Sequence, residues 1–243
     1  MATDLRVLGV IPARGGSRGL PGKNIAPVAG KPLLAYTLEA ARAAAGRARC
    51  VLSSDDETIL RVAREWGGDV PFVRPAELAT DEAPMLPVLL HALDHVPGPF
   101  DAVMILQPTT PLRRPEDIDA AIRLLADDPA ADAVISVVKV GDHHPARMKS
   151  IRDGVLVDPP FAELFEGQRR QELPELYLRN GAIYLTRTRV LREERSLKGR
   201  RCLAYVMPEE RSVNIDGALD LLLAEAVLHQ QQPSPPVHPT PGH

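Results

Sequence analysis

Short apolar runs alternate along this chain with longer stretches in which apolar residues recur every three or four positions. The short runs lie at 5–11, 49–54, 69–73, 102–107 and 132–140, and the longer periodic stretches lie near 32–46, 56–66, 84–96 and 116–127. The short runs predict buried strands, and the periodic stretches predict helices that cover them. Strands and helices in alternation form a mostly parallel sheet, because each helix returns the chain to the same edge. The pattern therefore predicts an α/β fold.

The pattern changes between about residues 141 and 180, where short extended segments flank an Asp153-Gly154 turn. An Asp-Gly pair in this setting is typical of a β-hairpin. We therefore predict a small lobe, inserted at about 141–180, within an otherwise regular α/β domain.

The alternation resumes after the lobe, with strand-like runs at 177–185 and 201–207, a short helix between them and a final helix near 217–231. We expect these segments to complete a single domain over residues 1–231. Residues 232–243 are rich in proline and have almost nothing to bury, so they are predicted to form a disordered tail.

Composition narrows the possible classes of function. The chain has 243 residues, 44% of them apolar, and a net charge of −3, so a broadly basic surface for nucleic acid is excluded. Its two cysteines, Cys50 and Cys202, are far apart in the sequence, which fits a reducing compartment and predicts a cytoplasmic protein. No apolar run is long enough to span a membrane, and the amino terminus is unlike a signal peptide. We therefore expect no membrane partner.

The segment between Ile11 and Asn24 carries the clearest chemical signal. It reads IPARGGSRGLPGKN, so a strand is followed by a glycine-rich loop that also contains Arg14, Arg18 and Lys23. Glycines allow successive backbone N–H groups to converge on an anion, and nearby cations neutralise its charge. The loop is therefore predicted to bind the phosphates of a nucleotide.

Two better-known phosphate-binding loops do not fit this segment. A P-loop requires a hydroxyl residue after its Gly-Lys pair, but here Asn24 follows Lys23. The dinucleotide fingerprint requires Gly-x-Gly-x-x-Gly leading directly into a helix, whereas Pro21 interrupts these glycines. Residues 53–55 and 107–109 also follow predicted strands, so we expect them to face the glycine-rich loop at one edge of the sheet.

Several segments together occur in the order and spacing of one known family. They read IPARGGSRGLPGKN at 11–24, RPAELATD at 74–81, LQPTTPLR at 106–113, RNGAIYL at 179–185 and SVNID at 212–216. Through these motifs the chain resembles the acylneuraminate cytidylyltransferases, or CMP-sialic acid synthetases, over roughly residues 5–230. The resemblance implies a Rossmann-like three-layer α/β/α fold of the nucleotide-diphospho-sugar transferase type, and a homodimer that uses the inserted lobe.

The same resemblance implies a reaction and a set of residues for it. The enzyme would use CTP and Mg²⁺ to convert an acidic nine-carbon keto sugar to its CMP derivative, with release of pyrophosphate. The implied catalytic residues are Arg14, Lys23, Gln107 and Asp216. The implied nucleotide-binding residues are Ala13, Arg14, Gly15, Gly16, Ser17, Lys23, Asn24 and Arg74, and the implied sugar-binding residues are Gln107, Arg147 and Arg170. Positioned cations stabilise the departing diphosphate, and an arginine fork suits the sugar carboxylate.

The expected metal site departs from the family pattern. Members usually carry Asp-Ile-Asp where this chain has Asn214-Ile215-Asp216. Asparagine offers an oxygen without a charge, so we expect Asp216 to be the main ligand of Mg²⁺, with Asn214 beside it. The alternative is that Asp216 only caps the final helix. Pro84 and Met85 stand where some members have serines facing the nucleotide, so the sequence does not show how cytosine is selected.

Two other functions remain open at this point. One is CTP-dependent activation of an eight-carbon ulosonate, although RNGAIYL and the segment at 143–145 favour the nine-carbon branch. The other is a non-catalytic nucleotide sensor that has lost a metal carboxylate at Asn214. Against a loss of catalysis stands the joint presence of the four implied catalytic residues, Arg14, Lys23, Gln107 and Asp216. The sequence does not distinguish sialic acid from legionaminic acid or another nonulosonate.

Overall fold

The computed structural model describes residues 5–16, 20–44, 48–165 and 167–231. The strands in these residues are β1 (Val7–Pro12), β2 (Pro27–Val28), β3 (Lys31–Pro32), β4 (Ala48–Ser53), β5 (Ala102–Ile105), β6 (Ala133–Lys139), β7 (Ser150–Arg152), β8 (Val155–Val157), β9 (Tyr177–Arg187) and β10 (Cys202–Met207). The α-helices are α1 (Leu33–Ala43), α2 (Glu57–Glu65), α3 (Met85–His95), α4 (Pro115–Asp127), α5 (Thr188–Glu193) and α6 (Ala218–Gln231). The predicted tail at 232–243 lies outside the described residues.

The described part of the chain builds one main sheet, with strand order β10-β6-β9-β5-β1-β4. Neighbouring strands are parallel except at β9, which runs antiparallel to both β5 and β6. This mostly parallel sheet, with helices between its strands, confirms the predicted α/β class. The carboxyl ends of β1, β4 and β5 share one edge, as the sequence analysis required.

Helices cover both faces of the sheet, as the side chains of β1 show. Val7 and Ile11 belong to one apolar cluster, together with residues of α1, α2 and α4. Leu8 and Val10 belong to a second cluster, together with residues of α3 and α5. Because successive side chains of a strand leave on opposite faces, the two clusters lie on the two sides of the sheet. The result is a three-layer α/β/α arrangement.

The segment at 69–73 is not a strand, so that prediction was wrong. Of its residues, which the structure describes in full, Asp69 alone forms a β-bridge, to Val51. Pro71 lacks the N–H that a sheet ladder needs, which explains why the pairing stops. Phe72 still packs against the apolar cluster on the α3 side, and this contact accounts for the strand-like sequence pattern.

The hairpin predicted in the inserted region is confirmed. β7 and β8 pair antiparallel around Asp153 and Gly154, whose φ angles are 52° and 80°. Positive φ at both central residues is typical of a type I′ turn, in which Asp-Gly is favoured. The hairpin exposes apolar side chains: Ile151 is 72% exposed and Leu156 is 68% exposed.

Candidate active site

The glycine-rich loop is held against the segment that follows β4. The Gly15 N–H donates to Oδ1 of Asp55 at 3.1 Å, and the Ala13 N–H donates to the Ser53 carbonyl at 2.9 Å. Asn24 closes the loop from its far end, where its Nδ2 donates to the Arg14 carbonyl at 3.0 Å. These bonds fix the loop at the edge of the sheet where the sequence analysis expected it. Ser17 and Arg18 lie outside the described residues.

At two positions of this loop the structure explains why the residue is glycine. A Cβ at Gly15 would lie 2.7 Å from Oδ2 of Asp56, the residue that caps α2. Gly22 has a φ of 67°, in the left-handed region that glycine adopts without strain. Gly16 has open space on its Cβ side, so the structure gives no packing reason for a glycine there. An open position beside backbone N–H groups leaves room for a ligand.

Arginine side chains supply positive charge beside the loop. Arg74 is 4% exposed, and its guanidinium donates to the hydroxyl and the carbonyl of Ser53. Burial lowers the pKa of Arg74 to about 10, Asp55 opposes that shift, and the nearby Arg14 adds to it. Arg14 itself forms an ion pair with Asp81. Two guanidinium groups thus lie close enough to affect one another, in a region suited to an anion.

The loop after β1 also reaches the predicted metal residues. Nζ of Lys23 donates to the Ile215 carbonyl at 2.9 Å and to Oδ1 of Asp216 at 3.3 Å. Nδ2 of Asn214 donates to Oδ2 of the same carboxylate at 2.9 Å. Asp220, rather than Asp216, accepts from the backbone N–H groups ahead of α6. The Asp216 side chain therefore does not act as the helix cap.

The donor set at 214–216 fits a magnesium ion that is held chiefly by a substrate. No group of three or more acidic, histidine or cysteine residues suited to a metal occurs in the part of the chain that the structure describes. The Asp216 side chain is 75% exposed and supplies one carboxylate, and Asn214 supplies a neutral amide oxygen. Mg²⁺ commonly takes one or two protein carboxylates and completes its shell with phosphates and water. These residues fit that mode of binding.

Gln107 follows β5 and joins the same site from the other side. Its backbone carbonyl accepts from Oγ1 of Thr110 at 3.0 Å. Its side-chain Oε1 lies against Gly181 of β9, where a Cβ would be only 2.6 Å away. The same Cβ would lie 3.5 Å from Oδ1 of Asn214, so both side chains flank Gly181. The glutamine predicted to bind the sugar and the asparagine predicted to bind the metal thus lie beside the same glycine.

The loop after β5 is tied to the 214–216 segment by two further bonds. Oγ1 of Thr109 donates to Oδ1 of Asn214 at 2.6 Å, and the Ile215 N–H donates to the Thr109 carbonyl at 2.8 Å. Through Lys23, this segment connects to the glycine-rich loop. The loops after β1, β4 and β5 therefore form one continuous site.

The two predicted sugar-binding arginines lie in the lobe and are exposed. Nη2 of Arg147 donates to the Gln168 carbonyl at 3.2 Å, and Arg170 forms an ion pair with Asp142 at 2.6 Å. Arg170 also approaches Gly141, which lines a cleft of about 410 Å³ that extends to Asn214. Arg170 thus lies beside a residue that lines this cleft, whereas the hydrogen bond given for Arg147 stays within the lobe.

Three residues of this site, Asp81, Thr109 and Gly181, were not predicted from the sequence to have a function of their own, although Thr109 was expected to face the glycine-rich loop. Asp81 closes the RPAELATD segment, Thr109 lies within LQPTTPLR and Gly181 lies within RNGAIYL. Their positions in the quoted motifs were the available signal. Their contacts depend on loops far apart in the chain, which composition and periodicity do not report.

Comparison with known proteins identifies the family. A family model described as Cytidylyltransferase matches residues 8–200. The chain belongs to the cytidylyltransferase family. This cytidylyltransferase is 34% identical over 235 residues to the CMP-N,N'-diacetyllegionaminic acid synthase of Legionella pneumophila, an alignment that covers 94% of this chain and 98% of that protein. It is 32% identical to the N-acylneuraminate cytidylyltransferase of Escherichia coli, over 90% of this chain and 51% of that protein. The resemblance inferred from the motifs is confirmed.

Solved structures show the same fold. The cytidylyltransferase superposes on a CMP:2-keto-3-deoxy-manno-octonic acid synthetase complexed with CTP with a TM-score of 0.71 and 21% identity, covering 93% of this chain and 100% of that chain. It also matches a 4-diphosphocytidyl-2C-methyl-D-erythritol synthase from Anaerococcus prevotii with a TM-score of 0.65 and 17% identity, covering 94% of this chain and 98% of that chain. None of the described helices combines the length and apolar character needed to cross a membrane.

Proposed function

We propose that this cytidylyltransferase transfers CMP from CTP to an acidic nine-carbon α-keto sugar, such as a legionaminic or sialic acid, and releases pyrophosphate. The observation that carries the proposal is the hydrogen bond from Lys23, in the glycine-rich loop, to Asp216. It supports a phosphate cradle that works together with a carboxylate suited to a metal ion. The 34% identity to a legionaminic acid synthase over nearly its full length supports this substrate class.

The nucleotide would lie across the glycine-rich loop. Backbone N–H groups of this loop that do not already donate within the fold would face its phosphates. Arg14 and Lys23 would neutralise them, and Asn24 would hold the loop closed. The buried Arg74 would contribute positive charge from behind. Such preorganised cations stabilise the charge that develops on a leaving diphosphate as the sugar hydroxyl attacks the α-phosphate.

Mg²⁺ would be held by Asp216 and Asn214, and it would supply a positive charge that draws electron density from the phosphate oxygens. The ammonium of Lys23 contacts the Asp216 carboxylate, which is the group that would bind the metal. Lys23 would therefore turn toward the phosphates when nucleotide and metal bind. Gln107, beside Gly181, would hydrogen-bond the sugar. Arg147 and Arg170 would meet its carboxylate from the lobe.

We further propose a cytoplasmic homodimer in which residues 1–231 form one domain with its lobe at about 141–180. Both cysteines are free, which supports a reducing compartment. The lobe exposes several large apolar side chains, including Leu164 at 89%. Exposed apolar surface commonly marks interaction sites where it forms a continuous patch. Sedimentation velocity should therefore give a dimer, and Leu156→Asp combined with Ile151→Asp should shift it to monomer.

One assay tests the activity. Pyrophosphate release would be measured from each nucleoside triphosphate with a panel of eight- and nine-carbon keto sugars, with and without Mg²⁺. We expect turnover with CTP and a nine-carbon sugar that depends on the metal. A preference for an eight-carbon sugar, or for GTP or UTP, would reject this substrate assignment. If the folded protein released no pyrophosphate with any pair in the panel, the result would favour the nucleotide-sensor function.

A further inference from the structure

Arg113 is a buried cation at the carboxyl end of the LQPTTPLR segment. The residue is 3% exposed, and its hydrogen bonds reach three different parts of the fold. Nη1 donates to Oγ1 of Thr110 at 2.9 Å and to the Ala182 carbonyl of β9 at 2.7 Å, and Nη2 donates to Oγ1 of Thr37 in α1 at 2.7 Å. A single guanidinium therefore joins the loop after β5, a sheet strand and a helix.

The partners of this guanidinium are unusual for a buried charge. In the part of the chain that the structure describes, each oxygen that accepts from it is neutral, and Nε has no partner. Burial lowers the pKa of Arg113 to about 10, which leaves it charged at neutral pH. The charge of Asp117 offsets part of the cost of this burial. Burying a cation that no carboxylate hydrogen-bonds is still costly, and an apolar residue would hold a core together at lower cost. These partners therefore indicate that Arg113 meets a requirement other than stability.

The position of Arg113 relative to Gln107 indicates what that requirement is. Nη1 lies 3.4 Å from the Gln107 carbonyl, and Thr37 Oγ1, which accepts from Arg113, donates to that same carbonyl at 3.3 Å. The bond to Ala182 fixes the residue next to Gly181, against which the Gln107 side chain rests. Arg113 thereby fixes both sides of the contact between Gln107 and β9.

We propose that Arg113 is a positioning residue that holds Gln107 and the Gly181 segment in the geometry that receives the acid sugar. This inference rests on the proposed function, because it takes Gln107 to be the sugar-side residue. A guanidinium is suited to the task because its planar fork presents several donors at fixed angles. The ammonium of a lysine lacks that fixed geometry.

The experiment compares Arg113→Met with Arg187→Met. Arg187 is a matched control, because its guanidinium also donates to main-chain carbonyls, at Ala131, Leu125 and Asp128, but from the last residue of β9, away from Gly181 and Ala182. For Arg113→Met we expect kcat/KM for the sugar to fall by about 10²-fold, as for a small misplacement of a substrate contact. The Kd of CTP, measured by calorimetry without sugar, should stay within about twofold. Arg187→Met should lower the melting temperature and leave both constants unchanged.

Thr37→Val provides a second, milder variant in case Arg113→Met does not fold. It removes the hydroxyl between Arg113 and the Gln107 carbonyl, so it should raise the KM of the sugar about tenfold without changing the Kd of CTP. Equal losses for sugar and CTP, or unchanged kinetics in a folded variant, would overturn the inference while leaving the proposed function standing. Absence of turnover by the wild-type protein would overturn both.

Discussion

Asp81 forms an ion pair with Arg14, the arginine of the glycine-rich loop, and each side chain is 30% exposed. Asp81 is the last residue of the RPAELATD segment at 74–81, which is far from the glycine-rich loop in sequence. It lies beside the place proposed for the triphosphate. Without a nucleotide its carboxylate therefore satisfies the guanidinium that the phosphates would otherwise engage. An incoming phosphate has to compete with it.

Asp81→Asn should for this reason tighten the binding of CTP. A partly exposed ion pair is worth about 0.2–1 kcal/mol, so we expect the Kd of CTP to fall by about two- to fivefold, with a smaller effect at high salt. Isothermal titration with CTP in the absence of sugar measures this change. Asp94→Asn is the control, since Asp94 pairs with Arg192 on the exposed surface at 2.7 Å. Weaker binding by Asp81→Asn would mean that the carboxylate orients Arg14 instead of competing with phosphate.

Gly181→Ala should disturb the sugar side of the site. Gly181 has a φ of 79°, and a Cβ there would lie 2.6 Å from Oε1 of Gln107. The glutamine end must therefore move, and we expect the KM of the sugar to rise by about tenfold or more. Steady-state kinetics at saturating CTP measures the change.

Gly30→Ala is the matched control for that substitution. Gly30 has a φ of 83° and nothing within 4 Å of a built Cβ. Both variants carry the cost of a left-handed alanine, about 1–2 kcal/mol, so both should lose similar stability in urea unfolding. A rise of the sugar KM in both variants would assign the effect to general destabilisation and not to Gln107.

The sequence was sufficient for the fold class and for the position of the glycine-rich loop at the edge of the sheet, because both depend on local patterns. Strand-length apolar runs indicate a sheet wherever they occur, and glycines next to cations indicate an anion site. The antiparallel direction of β9 could not be read in this way. Residues 177–185 look the same in either direction, and the direction follows from where the lobe returns the chain to the sheet.

For the same reason, the sequence predicted only part of the detailed geometry of the site. Asn214 and Gln107 appear in separate motifs, and the sequence does not show that they flank one glycine of β9. Arg113 looks like an exposed cation in sequence, since arginine is usually solvated, yet the structure buries it under neutral acceptors. These features depend on contacts between distant segments. Local propensity contains no information about them.

Tyr205→Phe should loosen the segment that leads to Asn214 and Asp216, the proposed metal ligands. The Tyr205 hydroxyl donates to Oδ1 of the buried Asp117 at 2.8 Å, and Arg211, which precedes SVNID, donates to both oxygens of that carboxylate. A hydrogen bond to a charged group is worth about 1.5–3 kcal/mol, so we expect a loss near the lower end of this range for the half-buried tyrosine. Urea unfolding at neutral pH measures it.

The same tyrosine gives a pH dependence with a defined sign. Burial, and then the bond to Asp117, raises the pKa of Tyr205 to about 12, above the value of about 10 for an unfolded tyrosine. Its contribution is therefore fully present below about pH 10 and is lost as the pH rises through the folded-state value. The stability difference between wild type and Tyr205→Phe, measured by urea unfolding, should stay constant up to about pH 10 and shrink as the pH rises from there toward about 12. A constant difference would contradict the assignment.

Asn214→Asp should strengthen metal binding at the site. The substitution would place a second carboxylate beside Asp216, whose Oδ2 now accepts a hydrogen bond from the Asn214 amide. Two unit charges about 4 Å apart interact by about 1–4 kcal/mol, depending on exposure. Lys23 offsets part of the added charge, because it already contacts Asp216 at 3.3 Å. We therefore expect the Kd for Mn²⁺, used as a spectroscopic substitute for Mg²⁺, to fall by about tenfold.

Electron paramagnetic resonance of free Mn²⁺ measures that constant directly, with CTP present and without sugar, so the result does not depend on turnover. Gln171→Glu adds the same charge to the exposed part of the lobe and should leave the Kd unchanged. If Asn214→Asp bound Mn²⁺ no more tightly than that control, residue 214 would lie outside the coordination shell. Asp216→Asn should then be compared. Loss of Mn²⁺ binding in that variant alone would assign the metal to the single carboxylate that contacts Lys23.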